Sequence, residues 1–167
     1  MKTLHLMRHA KSSWDAPELE DRDRRLNRRG HRDAPRMGRA LADRLLPMAL
    51  HVSPARRAQL TLAGLCAGWG GLSTQPHTTV EALYTFRYDA VWHWIAACAE
   101  EHTALFILAH NPALTELVNR LVGRPVLDNL PTAGYVQLAL AVEHWAGLES
   151  GCAKVADSLF PRQLSHS

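Results

Sequence analysis

The sequence predicts a single α/β domain in three layers, a mostly parallel central sheet with helices on both faces. Three observations carry that expectation. Residues 104–109, Ala-Leu-Phe-Ile-Leu-Ala, are a continuous apolar run, as expected of a parallel strand covered on both faces. Short runs of this kind alternate along the chain with stretches whose apolar residues recur at helical spacing, and that alternation is how a parallel sheet appears in sequence. Finally, the strand-like runs end on polar residues suited to chemistry: Arg8 and His9, then Arg57 just beyond the second run, Glu81 after the third and His110 after the fourth. Ligands of open α/β sheets collect at the carboxyl ends of strands, so these residues are expected around one crevice.

The composition agrees. A chain of 167 residues, 47% hydrophobic and 21% charged, suits one globular domain with a substantial core. A net charge of +3 favours anionic ligands without establishing nucleic-acid binding. Cys66, Cys98 and Cys152 are an odd, widely spaced set without a CxxC pair, which suggests free thiols in a reducing compartment and hence a cytoplasmic location. No secretion signal is read at the N-terminus, and no apolar run approaches the roughly 20 residues of a membrane helix.

Taken in order, Leu4, Leu6 and Met7 make residues 3–7 a buried opening strand that stops at Arg8-His9. The polar segment 10–27 lacks either periodicity, and loops of that length inside a compact domain are usually functional. An arginine run from Arg22 to Arg39 follows. Ala34, Met37, Leu41 and Leu45 form an apolar stripe through its second half, so the arginines are expected to cover the solvent face of one amphipathic helix. Asp33 is its expected N-cap, with Pro35 in the first turn. Residues 50–53 predict a short second strand, and Ser53-Pro54 a helix start with Ser as cap. That places Arg57 about one turn into the helix. Residues 78–80 predict a third strand. Asp89 is the expected cap of a helix that turns Val91, Trp92, Ile95 and Cys98 inward. After the fourth strand and His110, Asn111-Pro112 opens a helix with the inner stripe Leu114, Leu117, Val118 and Leu121, ending near Gly123. From Val136 the residues alternate in the manner of a strand near a sheet edge, and a last strand is expected around Val155. The domain is expected to span residues 1–161, with 162–167 a loose polar tail.

The chain resembles the histidine phosphatase superfamily, and within it the small SixA-type phosphohistidine phosphatases. The residues that carry the resemblance are Leu6-Met7-Arg8-His9-Ala10-Lys11, then Leu26-Asn27-Arg28-Arg29-Gly30 and Ser53-Pro54-Ala55-Arg56-Arg57-Ala58-Gln59-Leu60-Thr61, then Leu83-Tyr84 after Glu81, Ala109-His110-Asn111-Pro112 and Leu130-Pro131-Thr132-Ala133. They span nearly the whole chain in the family's order. The superfamily's usual Arg-His-Gly is Arg-His-Ala here, and Arg25 stands where related sequences often carry Pro.

The resemblance implies a phosphoglycerate-mutase-like fold and a phosphatase that works through a phosphohistidine on the enzyme. By it, His9 is the nucleophile. Arg8, Arg57 and a cationic His110 hold the phosphoryl oxygens, and Glu81 is the candidate acid and base. No cofactor or metal is expected. The large-family lid between the third and fourth strands is missing, so the site should be open enough for a phosphohistidine-bearing protein. A small phosphoester is the alternative substrate. A non-catalytic phosphate-binding module and an arginine-rich nucleic-acid binder rank lower, the first because His9 is present, the second because of the apolar stripe beneath the arginines. Binding of phosphate or sulfate is expected, and no membrane partner.

Overall fold

The computed structural model describes residues 1–164. In chain order its elements are β1 (Lys2–Arg8), α1 (Arg28–Ala42), β2 (His51–Val52), α2 (Arg56–Gly68), β3 (Thr78–Thr79), α3 (Tyr88–Ala96), β4 (Ala104–Ala109), α4 (Ala113–Val122), β5 (Tyr135–Leu140) and β6 (Ala153–Leu159). They form one sheet in the order β3-β2-β4-β1-β5-β6. The strands β1 to β4 pair in parallel, while β5 and β6 add an antiparallel margin.

Alternation along the central strands sorts the core into two faces. Leu105, Ile107 and Ala109 of β4, with Leu4 and Leu6 of β1, pack against Val91 and Ile95 of α3 and Leu114, Leu117 and Leu121 of α4. Phe106 and Leu108 of β4, with Met7 of β1, pack on the opposite side against Met37 and Leu41 of α1 and Leu65 of α2. The three-layer α/β expectation therefore holds.

This sorting has a consequence at the carboxyl ends. The adjacent parallel strands β1 and β4 are followed by helices on opposite faces, α1 and α4. Chains that part in this way leave a crevice between two strand ends, the usual ligand position in an open α/β sheet.

Several local details differ from the sequence reading. α1 starts before Asp33: Asn27 is its cap, and its side chain accepts the Gly30 amide at 2.9 Å. Pro35 thus lies inside the helix, where it removes the amide that the His31 carbonyl would otherwise receive. Asp33 is instead buried and paired with neighbouring arginines. α2 begins at Arg56 with Ala55 as cap, so Ser53 is free for another partner. Asp89 sits within the first turn of α3 and pairs with Arg87, the residue in the cap position. In α3 only Val91 and Ile95 are fully buried; Trp92 packs at the margin of the core, as does Cys98 just beyond the helix end. β5 does lie near the sheet edge, as its alternation suggested, with β6 outside it as the edge strand. Beyond Pro161 the chain does not loosen at once. Residues Pro161–Gln163 make a 3-10 turn closed by the Phe160 amide donating to Gln163 Oε1 at 2.8 Å, and Leu164 packs on the core. The remainder of the expected tail, 165–167, lies outside the described residues. Among the described residues no helix is long and apolar enough to cross a membrane.

Candidate active site

β1 and β4 are in register, with Arg8 opposite Ala109, and the His9 amide donates to the Ala109 carbonyl at 3.1 Å. His9 and His110 therefore follow two adjacent strand ends, and their ring centroids are 5.2 Å apart. β2 lies on the other side of β4, and the Ser53 amide continues that pairing to the Leu108 carbonyl. This brings the first turn of α2, and with it Arg57, to the same crevice. Thr61 ties the two sides together: its hydroxyl accepts the Ala10 amide and donates to the Arg57 carbonyl, at 2.9 and 2.7 Å.

His9 Nδ1 lies 2.7 Å from the Ala10 carbonyl oxygen. A carbonyl only accepts, so the bond requires the proton on Nδ1 and leaves the lone pair on Nε2. Burial holds the imidazole well below the usual histidine range. The Ala10 bond opposes this, and the neighbouring His110, Arg57 and Arg8 reinforce it. The result is a neutral ring with one fixed nucleophilic nitrogen.

His110 is fully buried, and its Nε2 is 2.7 Å from Ser53 Oγ. Ser53 Oγ also accepts the Ala55 amide at 3.2 Å. The hydroxyl is then best satisfied by donating to Nε2, which puts the His110 proton on Nδ1. Burial and then the charge of Arg57 lower the His110 pKa to about 3. The cationic state expected for His110 is therefore not its resting state; a dianion entering the pocket would oppose the shift.

The two arginines are anchored from behind. Arg8 Nη1 donates to the Leu130 carbonyl at 3.0 Å. Arg57, 1% exposed, donates through Nη1 to the Asp21 carbonyl at 2.6 Å and through Nη2 to Asp21 Oδ2 at 3.0 Å. Tyr84 donates its hydroxyl to the same carboxylate oxygen at 2.6 Å. Burial works against the Asp21 charge, but Tyr84 and Arg57 keep its carboxyl below the ordinary range. Arg8 Nε, Arg57 Nε and His110 Nδ1 are left buried without a hydrogen-bond partner, and the only other such side-chain atom among the described residues is His51 Nδ1. Buried polar groups are nearly always satisfied. Three unsatisfied ones, on Arg8, Arg57 and His110, lie beside His9, a donor set suited to an anion with several oxygens.

Glu81 stands at the rim rather than in this group. Its exposed carboxylate takes both terminal nitrogens of Arg22, at 3.1 and 2.8 Å. The Arg22 bond holds its pKa down against a slight opposing effect of burial. Tyr84 and the half-exposed Phe86 form an aromatic wall, their ring centroids 5.6 and 5.8 Å from His110.

The structure thus gathers Arg8, His9, Arg57 and His110, and leaves Glu81 outside direct contact with them. The sequence reading missed Asp21, Thr61 and the role of Ser53. The long polar segment 10–27 signalled function, but nothing in its composition separates Asp21 from its acidic neighbours. Among the described residues no three His, Cys, Asp or Glu side chains gather as a metal site would require.

Comparisons with known proteins agree with this geometry. The family model of the histidine phosphatase superfamily (branch 1) matches residues 4–84. An uncharacterised protein of Mycobacterium tuberculosis is 32% identical over 93% of this chain and its own whole length. Among solved structures, SixA from Agrobacterium tumefaciens superposes with a TM-score of 0.77 at 25% identity, covering 96% of this chain and 98% of the other. The protein histidine phosphatase SixA complexed with tungstate gives 0.74 at 21% identity, covering 96% and 97%. The chain belongs to the histidine phosphatase superfamily, in its SixA-type branch, and is a phosphatase.

Proposed function

We propose that this phosphatase removes the phosphoryl group from phosphohistidine on proteins, by way of a phosphohistidine on His9. The observation that carries the reading is the set of buried, unpaired donors on Arg8, Arg57 and His110 around a neutral His9 whose lone pair is fixed on Nε2. Tungstate, the ligand of the solved SixA relative, is a tetrahedral oxyanion like phosphate.

In the proposed reaction Nε2 of His9 attacks phosphorus in line. A P–N bond forms to His9 as the P–N bond to the substrate imidazole breaks, and that electron pair leaves on the substrate nitrogen. Charge on the equatorial oxygens falls to the two guanidiniums and His110 Nδ1–H. The Nδ1–H bond to Ala10 stays in place and supports the positive ring that His9 becomes. Water then hydrolyses this intermediate, with Glu81 the candidate base.

The state of Glu81 supports phosphohistidine over an alkyl phosphate. An alkoxide needs a proton as it leaves, and a carboxylate held by Arg22 with a lowered pKa is a poor donor. A neutral imidazole, leaving from a phosphohistidine already protonated on its ring, needs none. Access supports it too: between β3 and β4 there is only a 3-10 turn and α3, so no inserted domain covers the crevice. The free cysteines fit a cytoplasmic setting.

Single-turnover rates test the proposal on one phosphohistidine peptide and one alkyl phosphate. The wild type is expected to act much faster on the peptide. Glu81→Gln is expected to change phosphoryl transfer from the peptide little; a slowing of the alkyl reaction by about 10²–10⁴ would show that Glu81 does donate a proton to a leaving alkoxide. Equal wild-type rates on both substrates would assign the enzyme to small phosphoesters instead.

A further inference from the structure

The arginine run that the catalytic site does not use has an organisation of its own. Arg29, Arg32 and Arg36 share one side of α1, and all three approach the same carboxylate. Arg29 Nε lies 3.8 Å, Arg32 Nε 3.5 Å and Arg36 Nη1 3.3 Å from oxygens of Asp33, whose side chain is only 4% exposed. A fourth guanidinium, on Arg162, comes from the 3-10 turn near the chain end and lies 5.2 Å from the Phe160 ring centroid. These arginines line a cavity of about 330 Å³ with Pro131 and Phe160 as its apolar wall.

The charges do not balance. Among the described residues, and with Arg36 left out of the count, Arg29, Arg32 and Arg162 face one carboxylate, a formal excess of two positive charges in one concavity. Buried as it is, Asp33 does not neutralise all of them, but it does hold Arg29, Arg32 and Arg36 together on the cavity side. Guanidinium forks of this kind suit phosphate oxygens, which they bind in bidentate fashion. The volume is at the lower end of small-molecule sites, roughly 300–1,000 Å³. Charge concentrated in a cavity differs from the extended basic stripe with aromatic platforms that nucleic acids need.

We infer that this pocket binds a small ligand carrying several phosphate groups, at a site separate from the catalytic one. The two sites meet at the 131–134 turn. Arg29 donates to Thr132 Oγ1 at 3.0 Å, and the adjacent Ala133 amide holds the His9 carbonyl at 3.0 Å. They share none of Arg8, His9, Arg57 or His110.

The test is calorimetric titration of the full chain with inorganic tripolyphosphate at about 0.15 M salt, where exposed charges are screened beyond about 8 Å. Amide NMR shifts locate the binding. Tripolyphosphate is expected to shift Thr132, Phe160 and Arg162, and Arg32→Gln with Arg162→Gln to weaken that binding about tenfold or more without changing turnover. ATP titrated in parallel identifies the source of the phosphates. Tighter binding than tripolyphosphate assigns a ring-bearing ligand on the apolar wall; equal binding assigns the polyphosphate alone. Shifts confined to the surroundings of His9, or unchanged affinity in the double variant, would overturn the inference. So would an acidic peptide that binds this pocket more tightly than tripolyphosphate.

Discussion

A histidine serves as a nucleophile only while one ring nitrogen keeps its lone pair, and here the Ala10 carbonyl decides which one does. The same economy governs Arg57. Asp21 occupies both of its terminal nitrogens, leaving Nε, so the carboxylate orients the fork more than it competes for it. Asp21→Ala is therefore predicted to lower kcat/KM by about 10–100-fold, the usual cost of losing a partner that orients a functional group. The loss should appear in kcat as well as KM, because the clamp is needed most in the transition state. A rise in substrate affinity would show that Asp21 competes with the phosphoryl group. Arg8, His9, Arg57 and His110 were legible in sequence because strand ends have a known place in an α/β sheet. Asp21 was not, since its role depends on where a loop without periodicity folds back. The state of Glu81 was hidden for the same reason, as it depends on Arg22 in that loop.

At the scale of elements, α1 and α2 approach closely enough that side chains are excluded between them. A Cβ at Gly38 would collide with the Leu65 carbonyl, and one at Gly68 with the Pro35 carbonyl. Both obstacles are backbone and cannot rotate away. Gly38→Ala is predicted to destabilise the fold by about 1–3 kcal/mol even though alanine favours helix, as measured by the urea midpoint. A stabilised variant would mean that the helices separate at little cost. The inner stripes of α1 and α4 were readable from helical spacing alone. Their caps were less so. Ser53 carries the signature of a helix cap, but the cap position falls to Ala55; the Ser53 hydroxyl accepts the Ala55 amide and also bonds His110, a tertiary partner that local propensity does not reveal.

For the molecule as a whole, acid sensitivity follows from histidines buried without charge. Burial lowers His5 to about 4 and His110 to about 3, and it also lowers His9 and His51. In the unfolded chain these groups take up protons near pH 6.5. Below that pH the unfolded state binds more protons than the folded one, so stability falls as pH drops from 6.5 through about 4 for His5 and about 3 for His110; above 6.5 the contribution is complete. Each such histidine contributes a slope of up to about 1.4 kcal/mol per pH unit. Urea unfolding at pH 7, 6 and 5 should show the decline, and His5→Gln should remove up to one proton's share of it. Equal stability at all three values would contradict the burial argument. The order of strands across the sheet was beyond the sequence reading, because pairing between distant strands leaves no local pattern. Only the gathering of their ends was foreseeable.

The central claim is that the phosphoryl group passes through His9. The most direct measurement is rapid mixing of the enzyme with a radiolabelled phosphohistidine peptide, quenched in base to preserve the P–N bond, followed by mapping of the labelled residue. The account predicts transient label on His9 and none, with no turnover, in His9→Ala. Label on another residue, or undiminished turnover in His9→Ala, would contradict it.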